Sequence, residues 1–140
     1  MIEHVLVPID GSARATDALA YAMDAHPQAR LTILYVIDYV EESYTAELLV
    51  GSDALHERAE DRAADLLANA CEVTRDHDGE VTTETVYGDP AREIVEYADD
   101  QGVDVIILGS HGRSGVSRVL LGSVAQTVVQ RASVPVTVVR

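Results

Sequence analysis

The sequence predicts an α/β fold, a three-layer α/β/α sandwich in which helices cover both faces of a five-stranded parallel sheet. Two observations predict it. Short apolar runs of strand length alternate with longer segments whose apolar residues recur every three or four positions. Alternation of this kind builds a parallel sheet through right-handed crossovers. A third observation sets the scale: 140 residues, 47% of them hydrophobic, suffice for one buried core. No repeat, low-complexity stretch or linker divides the chain, so residues 1–140 are expected to form a single domain.

The elements follow in order. Val5–Ile9 is a continuous apolar run and predicts the first strand. Asp10-Gly11-Ser12 is a turn, and Ala13–His26 a helix carrying Ala18, Leu19, Ala22 and Met23 on one face, ended by Pro27. Leu31–Ile37 is the second strand. Asp38–Gly51 is a polar connection, after which Ser52 opens a helix to about Asp78 with an apolar stripe at Leu55, Ala59, Ala63, Leu66, Leu67, Ala70 and Val73. Glu80–Tyr87 alternates polar and β-branched residues, as in a less buried strand. Asp89 is placed to cap the next helix and Pro90 to open it. That helix, Ala91–Gln101, turns Ile94, Val95 and Ala98 inward. Val103–Leu108 is the fourth strand, apolar but for Asp104. Gly109–Leu121 reads as loop, Ser123–Ala132 as a helix and Pro135–Val139 as the last strand. The continuous apolar strands one, two and four suit the centre of the sheet.

Composition excludes several functions. The net charge is −14, from 24 acidic and 10 basic residues, and all ten basic residues are arginine. Without a basic face the chain is not expected to bind nucleic acid. Without lysine it has no Walker A loop and no receiver-type phosphoacceptor site. An acidic, lysine-free surface also resembles proteins adapted to concentrated salt. No window reaches the ~20 apolar residues of a membrane span, and no signal peptide is visible, so a cytoplasmic protein without membrane contact is expected. The lone Cys71 falls in a helical pattern and is expected to be a half-buried, inert thiol. His4, His26, His56 and His77 lack metal-type spacing and are expected at the surface or its boundary.

Chemistry is concentrated in Gly109-Ser110-His111-Gly112-Arg113-Ser114-Gly115, continuing to Gly122-Ser123. The segment starts where the fourth strand ends. Ligands of doubly wound sheets sit beyond the carboxyl ends of the strands, where strand order reverses. Glycine backbones admit an anion closely, and Gly122-Ser123 opens a helix whose N–H groups face the same space. His111, Arg113 and Arg118 supply cations in a chain that has few. Two residues have structural readings as well. Ser123 with Gln126 matches a capping box, and Asp10 before Gly11 matches a turn pair.

The spacing Gly109-x2-Gly112-x9-Gly122-Ser123 resembles the nucleotide motif of the universal stress protein family, in its ATP-binding branch. Val7-Pro8-Ile9-Asp10-Gly11-Ser12, Gly88-Asp89-Pro90 with Ile94, and Val134-Pro135-Val136 with Val138 extend the resemblance over nearly the whole chain. It implies a Rossmann-like, adenine nucleotide alpha hydrolase-like sheet in the order 3-2-1-4-5. It implies that Pro8 and Asp10 line the pocket, Asp10 near the ribose or a Mg2+-bound phosphate, and that Val36 contacts adenine. It implies that Gly109 and Gly112 approach ribose and phosphates, with His111 and Arg113 beside them, and that Gly122, Ser123 and Val124 hold the distal phosphates. The implied cofactor is ATP, or ADP or AMP. The implied partner is a second copy of the chain, paired through strand 136–139.

Three functions follow for comparison: a nucleotide-binding regulatory dimer of the stress response, a slow ATP hydrolase or nucleotidyl-transfer enzyme, and a protein of the same fold that binds no nucleotide. Hydrolysis needs a positioned water and a base. Only Asp10 suits a metal-facing role, and no catalytic residues are assigned. The intact glycine pattern favours a nucleotide, so the regulatory dimer is the expected function.

Overall fold

The structure, a computed structural model, describes residues 1–38, 52–110 and 121–140. Among these, the elements run β1 (His4–Ile9), α1 (Ala13–Ala25), β2 (Arg30–Ile37), α2 (Ser52–Val73), β3 (Val81–Tyr87), α3 (Pro90–Asp100), β4 (Val105–Gly109), α4 (Ser123–Arg131) and β5 (Val136–Val139). The strands form one parallel sheet in the order β3-β2-β1-β4-β5. The predicted architecture and order are both present.

Burial explains the order. Every residue of β1 is buried, as are most of β2 and β4, whereas β3 and β5 are half-buried or exposed and lie at the edges. Continuous apolar runs take the central positions because both of their faces are covered. Val5, Val7 and Ile9 of β1 join Ala15, Ala18, Leu19 and Ala22 of α1 and Ala59, Ala63 and Ala70 of α2 in one core layer. Leu6 joins Leu34, Ile106 and Leu108 with Ala91, Ile94 and Ala98 of α3 and Ala125 and Val128 of α4 on the opposite face. Alternation along β1 therefore assigns one helix pair to each face.

Local signals place the helix starts. Ser12 caps α1 by accepting from the Ala15 amide, and Asp89 caps α3 by accepting from the Arg92 amide at 3.1 Å, with Pro90 in the first turn. Each cap satisfies a helix-end donor that has no intrahelical partner.

Several expectations are corrected. α2 ends at Val73 rather than near Asp78, because Thr74 turns its hydroxyl onto the carbonyls of Ala70 and Cys71 and the chain then turns. Cys71 is exposed rather than half-buried, lying off the apolar stripe of α2. His4, expected at the surface or its boundary, is buried inside the sheet's first strand. β4 begins at Val105, two residues later than expected. Asp104 is instead an acceptor for the amides of Glu3 and His4.

Candidate functional site at the carboxyl end of the sheet

The site begins with a proline in a central strand. Proline has no N–H to give a ladder, which ordinarily confines it to edges. The carbonyl of Glu3 accepts from Arg30 on the β2 side, and that of His4 accepts from Asp104 on the β4 side. Period-two alternation then turns the backbone of Leu6 and Pro8 toward β4. Pairing with β2 continues from His4–Arg30 to Ile9–Tyr35, but pairing with β4 stops at Leu6–Ile106. Pro8 thus leaves the carboxyl ends of β1 and β4 without a ladder between them. This is the point at which strand order reverses, with β2 on one side of β1 and β4 on the other.

The β1–α1 turn borders that opening. Asp10 accepts from the Ser12 amide at 2.9 Å, and Gly11 takes φ +84°, which only glycine adopts freely. The turn role expected for Asp10 is therefore present. Val36 follows Tyr35, the partner of Ile9, so the register brings it alongside this turn. Its side chain is half-buried and packs against the core cluster of α3 and α4.

The end of β4 forms the other border. Gly109 pairs with Val139, and the next amide, of Ser110, donates to the Val139 carbonyl at 2.8 Å. The Ser110 carbonyl in turn accepts from the Gly122 amide at 2.5 Å, which ties the end of β4 to the start of α4. The two ends of the glycine-rich segment meet there. A Cβ on Gly109 would lie 2.6 Å from Cβ of Arg14, so the glycine also lets α1 pack against β4. Arg14 pairs with Asp17 at 3.2 Å across the surface of α1.

The capping-box expectation fails. The N-cap of α4 is Gly122, at φ −65° and ψ 160°, and Ser123 is already inside the helix, so its hydroxyl is not the cap. A glycine cap has no side-chain acceptor, so Gly122 gives the helix start no side-chain cap bond. The first-turn N–H groups thus keep their attraction for an anion. Ser123 and Val124 are exposed beside them, and Gly122 is half-buried. His111, Gly112 and Arg113 lie outside the described residues. Of the residues expected to line a pocket, Pro8, Asp10, Val36, Gly109, Gly122, Ser123 and Val124 lie at this carboxyl end of the sheet.

One residue was missed in the sequence. Ser110 is 1% exposed, and its hydroxyl is buried with no hydrogen-bond partner among the described residues. A buried unmatched hydroxyl is costly, and this one lies where strand and helix meet. Its sequence signal was a polar side chain directly after a continuous apolar strand. An uncapped helix start, an unmatched hydroxyl and an opened strand pair together fit a polar, anionic group. A separate cavity of about 50 Å3 between α1 and α2, lined in part by Gly11, Leu66 and Val73, is too small for a nucleoside. No group of three or more His, Cys, Asp or Glu side chains among the described residues could hold a metal ion.

The model of the universal stress protein family matches residues 1–140. Universal stress protein YxiE of Bacillus subtilis is 34% identical, with all of both chains covered. The solved structure of MJ0577, a universal stress protein of Methanocaldococcus jannaschii, superposes with a TM-score of 0.86 at 33% identity, covering 99% of this chain and 96% of that one. A universal stress protein from Archaeoglobus fulgidus, solved in complex with dAMP, superposes with a TM-score of 0.67 over 100% of this chain and 98% of that one. At 20% identity this last likeness carries the fold alone.

Proposed function

The chain belongs to the universal stress protein family, and we propose that it binds an adenine nucleotide, ATP in the first instance, as a regulatory protein of the stress response. The observation that carries this proposal is the junction of Ser110 with Gly122, which brings the end of β4 and the uncapped start of α4 together beside the opening left by Pro8.

Each group has a role. The N–H groups of Gly122, Ser123 and Val124 hold the distal phosphates, because the helix start presents donors and a partial positive charge. Gly109 and Gly112 let the backbone approach the ribose and nearer phosphates, with His111 and Arg113 supplying positive charge beside them. Val36 offers apolar contact to adenine, and Pro8 keeps the entrance open. Asp10 is the carboxylate that meets the ribose or a phosphate-bound Mg2+. With no protein cage for the metal among the described residues, Mg2+ would arrive with the nucleotide. The nucleotide supplies the negative charge and the planar base that this end of the sheet fits.

The copy-to-copy contact belongs to the same proposal. β5 is an edge strand whose three valines and Thr137 are all half-buried. An uncovered apolar edge invites pairing, and antiparallel pairing of 136–139 with a second copy covers both edges symmetrically. Sedimentation of the purified protein is expected to report a dimer.

The central test is Gly122→Val. The backbone angles of Gly122 are open to any residue, so the fold should persist. The added side chain stands where the phosphates approach, so nucleotide affinity should fall at least about tenfold, or ~1.4 kcal/mol. An unchanged affinity, by equilibrium dialysis with labelled ATP, overturns the assignment. Denaturing the protein and identifying the small molecules released should yield an adenine nucleotide.

A further inference from the structure

The end of the sheet opposite the nucleotide site holds a buried polar chain that this function does not use. We infer that His4 is the hub of an acid-released latch that ties β1 to β2, β3 and α3.

The hydrogen bonds define its working state. Arg30 can only donate, and its Nη2 lies 2.9 Å from Nδ1 of His4, so Nδ1 is the accepting nitrogen. The proton of the neutral ring therefore sits on Nε2, which donates to Oγ1 of Thr32 at 2.7 Å. Thr32 meets Oγ1 of Thr82 on β3 at 3.1 Å. Burial and then Glu84 of β3 push the Tyr97 phenol on α3 up, and a hydrogen bond with Thr32 pulls it the other way. Asp104, before β4, accepts from the amides of Glu3 and His4 at 2.9 and 3.0 Å. Strands β1, β2 and β3, the residue before β4 and helix α3 thus meet at a cluster whose titratable ring, His4, is 7% exposed.

A second proton on the ring breaks this arrangement. Nδ1 becomes a donor and cannot accept from Arg30, and two cations then face each other across a partly buried contact. Asp104 is the nearby counter-charge, but its carboxylate oxygen Oδ2 is taken up by the backbone amides of Glu3 and His4. Burial and then Arg30 push the His4 pKa below its ordinary 6.5, against the opposing pulls of Asp104 and the Gln101 backbone. The unfolded chain therefore takes up the proton first. Stability is full above pH 6.5 and falls as pH drops through 6.5 toward the lower folded value. Asp104 titrates in a lower window, since the amides of Glu3 and His4 hold it below the usual carboxylate value of 3.8.

The test combines nitrogen NMR of the imidazole with urea unfolding between about pH 7.5 and pH 5. The native ring should show the proton on Nε2 and titrate below 6.5. Arg30→Gln should move that midpoint upward, by removing a neighbouring positive charge. His4→Gln keeps a donor for Thr32 without the titration, so its loss of urea midpoint across this range should be at most about half that of the wild type. Acid should raise hydrogen exchange in β3 and α3 of the wild type more than in His4→Gln. A proton on Nδ1, a native midpoint at or above 6.5, or superimposed pH profiles for the two proteins would each overturn the latch. If His4→Gln does not fold, the wild-type and Arg30→Gln ring titrations still decide the question. None of these readouts depends on nucleotide binding.

Discussion

Gly109 shows at the scale of one residue how a motif glycine serves the fold. Its absent Cβ would lie 2.6 Å from Cβ and 2.9 Å from the backbone carbon and oxygen of Arg14. Backbone atoms of α1 cannot swing aside, so Gly109→Ala is expected to destabilise the protein by ~1–3 kcal/mol, read as a lower urea midpoint. Any effect of this substitution on nucleotide affinity must therefore be measured where the protein is fully folded. Asp104 yields a prediction of the opposite kind, from chemistry rather than space. Its carboxylate is held ionised by two amides, so the stability it provides is present above 3.8 and lost as pH falls further. Asp104→Ala should flatten the acid limb of a stability profile below about pH 4 while leaving the higher window to His4.

Caps and ladders decide behaviour at the scale of the element. The Ser12 hydroxyl satisfies the Ala15 amide at 3.3 Å, and Ser12→Ala should cost about 1 kcal/mol of stability, measured by urea unfolding. β1 carries a sharper consequence. Because its pairing with β4 ends at Leu6–Ile106, before Pro8, restoring an N–H at that position should let the ladder run further. Pro8→Ala is expected to gain a slowly exchanging amide at residue 8 and to weaken nucleotide binding by closing the opening. An amide at residue 8 that exchanges as fast as those in loops would show that proline is not what ends the ladder.

Charge is the property of the whole molecule that sets its working conditions. A net charge of −14 on 140 residues drives self-repulsion that opposes compaction. Salt shortens the range of that repulsion from ~10 Å at 0.1 M to ~3 Å at 1 M. The urea midpoint should therefore rise steadily with sodium chloride over this range, whereas a midpoint indifferent to salt would mean that the acidic groups are already well spaced. Ion pairs such as Arg14–Asp17, Arg75–Glu72 and Arg92–Glu96 do not offset the excess, since all three lie in solvent, where such pairs contribute little.

Much of this molecule was written in local patterns. Asp89 and Pro90 announced α3, the apolar runs of β1, β2 and β4 announced a buried centre, and the glycine spacing with its companion segments announced the family. Such features are legible because capping, periodicity and turn formation depend on residues a few positions apart. Other features depend on which strands become neighbours. Gly122 rather than Ser123 became the cap because its amide is tied to the carbonyl of Ser110, a residue distant along the chain. His4 is buried rather than at the surface or its boundary because Arg30 and Thr32, 26 and 28 residues away, were brought to its ring. The amino-acid order thus determined the elements, the fold class and the region of the site. Only tertiary structure decided which polar groups are buried together, because burial and partnership arise from strand register and helix packing, which join residues distant along the chain.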